Sequence, residues 1–295
     1  MKPLARILAA TDFSAPAHHA AQRAALLARD IGARLELVHI LEKSALDELR
    51  RAFGAEGETL QECIRAQARE ALAQLAADIG APLGVSAGQY LLEGAVLEGI
   101  ATEAERLDAS LLIVGARGAD FMRHWLLGAT AERLLRKTRR PILVVKQPAR
   151  DAYRSVLVPV DFSPWSQGAM RLAQAVAPRA EIVLLHAFEA PFEGKLRFAG
   201  VAEETIQRHR AEARQEALAR LHQAATEAGF AETNGRAIAV HGGAAPRILE
   251  QEEVQGADLI VLGKHGAGMT EELLLGSVTK HVLAHARGDV LVAWR

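Results

Sequence analysis

The sequence is short of several things, and each shortage removes a class of protein. Across 295 residues there is one cysteine, Cys63, which excludes an internal disulfide and any cysteine-based zinc site and fits a reducing compartment. No apolar run approaches the roughly 18 residues of a membrane span. The opening MKPLARILAATDFS has neither the apolar core nor the small-residue cleavage site of a signal peptide. The expectation is a soluble, cytoplasmic protein that does not enter a membrane. Net charge is only −1, so no overall basic field draws the chain to nucleic acid or anionic lipid. Aromatic residues make up 4%, and the basic run Arg133, Arg136, Lys137, Arg139, Arg140 has none interleaved. It reads as a charged helix end favoured by the helix dipole rather than a nucleic-acid surface. No G-x4-G-K-[ST] phosphate loop occurs.

What is present is an internal repeat. Half the residues are apolar and 24% are charged, ordinary for a globular protein, and the length suggests two domains. RILAATDFS (Arg6 to Ser14) returns as RSVLVPVDFS (Arg154 to Ser163), with Asp12 falling on Asp161. LELVHILE (Leu35 to Glu42) returns as EIVLLHAFE (Glu181 to Glu189), and LLIVGARG (Leu111 to Gly118) as LIVLGKHG (Leu259 to Gly266). WLLGATAERLL matches LLLGSVTKHVL, and PILVV near 141 matches DVLVA near 289. The chain is one domain written twice, expected at 1–148 and 152–295 and joined by the short linker Gln147 to Ala152.

Each copy alternates strand and helix. The first reads as a strand at Arg6–Ala10, a helix at Pro16–Ile31, a strand at Arg34–Ile40, a loop, and a long helix at Glu58–Ile79. A strand near Val85–Leu91, a helix Val96–Leu107, a strand Ser110–Val114, a glycine loop, a helix Ala129–Thr138 and a strand Ile142–Lys146 complete it. The second copy repeats these, with its long helix at Ala202–Ala228. Alternating βα units predict a parallel sheet covered by helices on both faces.

One stretch concentrates the chemistry. The apolar run Leu259 to Leu262 leads to Gly263, Gly266 and Gly276, then Ser277 opens a helical pattern through Val278, Val282 and Leu283. Strand, glycine loop and hydroxyl-led helix is how an α/β fold builds an anion site, because glycines admit close approach and helix-start N–H groups point at the anion. Asp161 either accepts hydrogen bonds from a ligand or caps its own helix, and Ser277 is either a donor or an N-cap. Glu271 and Glu272 in this loop repel phosphate unless they point outward or meet a divalent cation. Lys264 is the loop's one fixed positive charge.

The spacing G-x2-G-x9-G-S at Gly263, Gly266, Gly276 and Ser277, with Val160-Asp161-Phe162-Ser163 after the first strand, resembles the universal stress protein family. The resemblance covers the whole chain as a tandem of two such domains. It implies two tandem copies of a doubly wound, five-stranded parallel α/β fold, Rossmann-like and of the adenine nucleotide alpha hydrolase type. It also implies binding of ATP, or of ADP or AMP, with magnesium as a possible companion. By resemblance, Asp161 and the backbone at Ala187, after His186, address the adenosine end, while Gly263, Gly266, Gly276 and Ser277 take the phosphates. The first copy keeps Asp12, Ile40, Gly115, Gly118 and Gly128 at matching positions, with Arg117 in its loop. Its hydroxyl positions are Ala129 and Ala131, with Thr130 between them, and Arg117, Arg123 and His124 make that loop more basic. It is therefore a weaker site, a site for another anion, or a retired one.

The expected function is a stress-response protein that binds an adenine nucleotide mainly in the second copy, with binding and signalling ahead of slow hydrolysis or self-phosphorylation. The alternative is a non-nucleotide scaffold or small-molecule-binding tandem. Pairing of the two domains through PILVVK and DVLVAW, and a homodimer, are further expectations. An adenylating enzyme is disfavoured, since His241-Gly242-Gly243 does not supply an H-x-G-H signature. Cys63 is expected as a buried or half-exposed thiol, and His18-His19 as a solvated helix face. His39 and His186 share an architectural role. No metal site is expected from His241, His265, His281 and His285, although the last two, four apart, can share a helix face and meet a fortuitous zinc ion.

Overall fold

The computed structural model describes residues 4–116, 128–230, 235–266 and 275–294. The chain divides into two compact units, Met1–Ala152 and Tyr153–Arg295. In the first, the elements run β1 (Arg6–Ala10), α1 (Ala15–Ile31), β2 (Arg34–Glu42), α2 (Lys43–Gly80), β3 (Ala87–Gly94), α3 (Val96–Arg106), β4 (Leu111–Gly115), α4 (Ala129–Lys137) and β5 (Ile142–Val145). The second runs β6 (Ser155–Pro159), α5 (Pro164–Val176), β7 (Glu181–Phe188), α6 (Glu193–Phe198), α7 (Glu203–Glu227), β8 (Gly235–His241), α8 (Ala244–Gln255), β9 (Leu259–Gly263), α9 (Ser277–His285) and β10 (Asp289–Ala293).

Within the units the strand orders are β3-β2-β1-β4-β5 and β8-β7-β6-β9-β10, every neighbouring pair parallel. Each sheet grows outward from its first strand to the third, then returns to that first strand's other side. The reversal opens a crevice at the carboxyl ends of β1 and β4, and of β6 and β9, where open α/β sheets hold ligands.

The central strands are apolar runs because helices cover both faces. Ile7, Leu8, Leu111 to Ile113 and Ile142 are fully buried in the first unit, as are Val156 to Val158, Leu259 to Val261 and Val290 in the second. Each such side chain contributes about 1.5–3 kcal/mol relative to exposure. The first helix of each unit starts on a serine: Ser14 accepts from the Ala17 amide, and Ser163 from the Ser166 amide, with Pro16 and Pro164 in the first turns. Among the described residues, no helix is long and apolar enough to cross a membrane.

Three local expectations are corrected. The loop expected before the long helix of the first unit is itself helical from Lys43, and the helix breaks at Gly54, where φ is 57° and ψ −127°. Only glycine sits there without strain. The second unit inserts the separate short helix α6 at the corresponding place. Cys63 is exposed on α2, not buried, and His18 and His19 are half-buried.

Candidate functional site

The turn after the first strand is built identically in both units. Asp161 Oδ1 accepts from the Ser163 amide at 3.0 Å and its hydroxyl at 2.6 Å, and Asp12 holds Ser14 in the same way. This closure forces the intervening phenylalanine into left-handed backbone, with φ of 62° at Phe162 and 60° at Phe13. A bulky residue there costs roughly 1–3 kcal/mol, so neighbours must over-determine it. They do. The Phe162 ring lies 4.4 Å from the His186 ring, and Arg220 from α7 covers it at 4.2 Å. Phe13 packs on His39 at 4.3 Å. His186 Nδ1–H donates to the Val160 carbonyl and His39 Nδ1–H to the Thr11 carbonyl, each at 2.7 Å. The repeated histidines are turn braces, as their repetition in the sequence suggested.

Beside this turn the second strand outlasts its neighbour. The Val160 amide donates to the Leu185 carbonyl at 2.8 Å, so the backbone of Leu185 faces β6. Two residues on, Ala187 faces the same side, but β6 has ended at Pro159. Its backbone groups therefore turn toward the crevice. Thr11 donates to Val38 at 2.9 Å and sets up the same arrangement for Ile40, whose side chain is buried beside Gly99.

The third wall is the glycine segment. The Gly276 amide donates to the Lys264 carbonyl at 3.0 Å, bringing the start of α9 back to the end of β9. The N-cap is Gly276 itself and not a hydroxyl, and Ser277 is the first helical residue, exposed. The first intrahelical bond is made by Lys280, to the Gly276 carbonyl at 2.9 Å. The amides of Ser277, Val278 and Thr279 thus have no partner within the helix. The Thr279 hydroxyl is committed inward, donating to the Gly263 carbonyl at 2.9 Å.

These walls enclose a cavity of 390 Å³ in the second unit, lined by Asp161, Ala187, Gly263, Gly266, Gly276 and Ser277 together. All six residues singled out in that copy meet there. Leu185, Ile248, Leu262 and Val278 supply apolar surface, and Asp161 is the one carboxylate among the described lining residues. A methyl group on Gly266 would lie 3.2 Å from Asp161 Oδ2, so these two residues face each other closely. One oxygen of Asp161 holds the turn and the other faces the loop, while the cap of α5 is Ser163 and not Asp161.

The motif residues act for different reasons. A methyl on Gly263 would meet Trp165 Cβ at 2.7 Å, and one on Gly115 would meet the Pro16 backbone at 2.9 Å. These glycines let the first helix pack on the strand. Lys264 is corrected too. It is 2% exposed, with Nζ 4.4 Å over the Trp294 ring, so its charge points inward and not into the cavity. Its neighbour His265 lines the cavity and packs edge-on against Trp165 at 4.7 Å.

In the first unit Gly128 repeats the closure, its amide donating to the Ala116 carbonyl at 2.8 Å. Ala129 opens α4, the first turn carries Glu132, and Ala131 is buried where the second unit has Thr279. Arg117, Gly118, Arg123, His124, Glu271 and Glu272 lie outside the described residues. The basic run at the end of α4 is ion-paired, Arg136 with Glu132, Lys137 with Glu98, and Arg140 with Glu105 and Asp108.

The sequence of the Universal stress protein family matches residues 4–146 and again residues 152–293. The chain belongs to the universal stress protein family. A universal stress protein of Mycolicibacterium smegmatis is 30% identical over 97% of this chain and 96% of its own length. One from Mycobacterium tuberculosis is 28% identical over 69% of this chain, and the match spans 64% of that relative. The crystal structure of a universal stress protein from Archaeoglobus fulgidus shares the fold with a TM-score of 0.67, covering 98% of both chains at 21% identity.

Several lining residues of this universal stress protein were not singled out from its sequence. Thr279 had a usable signal, since it falls opposite Ala131 in the repeat. Ile248 had none: it is an apolar residue on an amphipathic helix, and only folding brings it into one cavity lining with Val160 and Leu262.

Proposed function

We propose that the second unit binds ATP or a related adenine nucleotide and that the protein acts as a nucleotide-binding regulator. The observation that carries this reading is the 390 Å³ cavity at the reversal point of the sheet, which joins three kinds of surface. Apolar walls from Leu185, Ile248 and Leu262 suit a base. Asp161 and the backbone of Ala187 suit the nucleoside's hydroxyl and amine groups. The open first turn of α9, with no acidic residue in it, suits phosphate. A magnesium ion accompanying ATP would take its oxygens from phosphate and water. The first unit is the weaker binder, because Glu132 occupies the first turn of α4 and alanines replace both hydroxyls.

The test is titration of the purified full chain with labelled ATP, beside Asp161→Ala and Gly276→Asp. An aspartate at the N-cap is favourable for the helix, so Gly276→Asp keeps α9 while placing a carboxylate where phosphate would sit. Both variants are expected to lose binding. Equal binding by all three proteins overturns the assignment.

A further inference from the structure

We propose that α9 carries a surface site for a divalent transition metal, formed by His281 and His285. The two rings are stacked, with centroids 4.3 Å apart and planes 25° from parallel, and both side chains are exposed. Spacing of four on a helix puts them on one face. His285 Nδ1 lies 2.9 Å from the His281 carbonyl, and a carbonyl can only accept, so Nδ1 carries the proton. That hydrogen bond fixes the tautomer of His285 and leaves its Nε2 with a free lone pair on an exposed side chain. It is the arrangement found in metal-ligating histidines, which give their other ring N–H to a carbonyl or carboxylate.

The ligand class follows from the donors. Two neutral imidazoles with solvent completing the shell suit Cu²⁺, Ni²⁺ or Zn²⁺, while Mg²⁺ and Ca²⁺ demand oxygen. His285 lies in the last turn of α9, where the carbonyl ends of the helix favour positive charge. Among the described residues no cluster of three or more histidine, cysteine or acidic side chains could hold a metal, so this is a two-ligand site with open positions. The repeat supplies a contrast. The first unit has Arg133 and Lys137 at the corresponding positions, so the pair belongs to the second unit alone. The inference stands independently of nucleotide binding.

The experiment is titration of the full chain with Cu²⁺, read by calorimetry and by electron paramagnetic resonance, with Mg²⁺ as control and with His281→Gln, His285→Gln and the double variant. Because the chain has 11 histidines, the difference between wild type and variants is what counts. One Cu²⁺ is expected to show coupling to two nitrogens in the wild type. Each single variant should weaken it by at least the ~10-fold that even loss of an outer-shell partner costs. Melting in EDTA should be the same for all four proteins, since both rings are exposed. Binding of the same ion with the same affinity by the double variant overturns the site, as does a wild-type spectrum without two-nitrogen coupling.

Discussion

Placing a methyl group on Gly263 tests whether the first glycine of the motif serves packing or ligand. The added carbon would stand 2.7 Å from Trp165 Cβ and 3.1 Å from the Trp165 carbonyl carbon. Carbon atoms rest at about 3.5–4.0 Å, so α5 must back away from β9 by about 1 Å. Backbone cannot yield as a side-chain tip can, and overpacking of this kind costs about 1–3 kcal/mol. For a unit of this size, that is a fall in Tm of roughly 2–12 °C. Gly263→Ala should therefore melt early in the absence of any ligand. The assay is thermal unfolding followed by tryptophan fluorescence in a Trp125→Phe background, which leaves Trp165 and Trp294, packed edge-on at 5.3 Å, to report this unit. The companion is Gly266→Ala, whose methyl, among the described residues, meets Asp161 Oδ2 at 3.2 Å, a side-chain end and not backbone. It should leave Tm nearly unchanged and weaken nucleotide binding. If Gly263→Ala melts like the wild type, or Gly266→Ala melts lower than it, the assignment of the two glycines to packing and to the cavity is wrong.

Three other expectations follow from the same geometry. Ser163→Ala removes the cap of α5 and the partner of Asp161 together, and chemical denaturation should show a loss of about 0.5–2 kcal/mol. Glu252, 6% exposed, accepts from the Arg287 amide at 2.9 Å and the Gly288 amide at 2.7 Å, so Glu252→Ala leaves two donors unmatched and should cost about 1–3 kcal/mol in the same measurement. Glu193 tethers α6 to Arg210 on α7 and to His241 at the end of β8, at 2.9 Å for the latter. The Arg210 guanidinium, with His241 and Arg197 behind it, holds the Glu193 carboxyl down from 4.5 to about 2. A depressed carboxylate stabilises the fold above its ordinary range, and that contribution is lost as pH falls from about 4.5 toward 2. Protection of the amides of residues 193–198, measured relative to their intrinsic exchange at each pH, should fall across that window, and Arg210→Met should move the onset to higher pH.

Much of the fold could be read from the chain because its signals are local or repeated. Apolar runs such as Leu111 to Val114 and Leu259 to Leu262 become central strands, since a strand buried on both faces has no polar face to alternate with. Ser14-Ala15-Pro16 and Ser163-Pro164 mark helix starts through capping chemistry that needs no distant partner. The offset between Asp12 and Asp161 exposed the duplication, and with it the positions where the copies differ. Harder to read is the stretch from Lys43 to Gly57, expected as a loop, which is helical with a break at Gly54.

The sequence by itself determined the α/β class, the tandem repeat, the glycine motif and the asymmetry of Ser277 against Ala129. Only the tertiary structure decided what each motif residue does. Gly263 is required by the backbone of α5, Lys264 turns inward onto Trp294, and Gly276 caps α9 in place of the serine beside it. The reason is that spacing records which residues are near in the chain, whereas direction and contact depend on partners a hundred residues away. Trp165 and Gly263 are neighbours only after β6 and β9 have paired, and Asp161 meets Gly266 only across the crevice that this pairing opens.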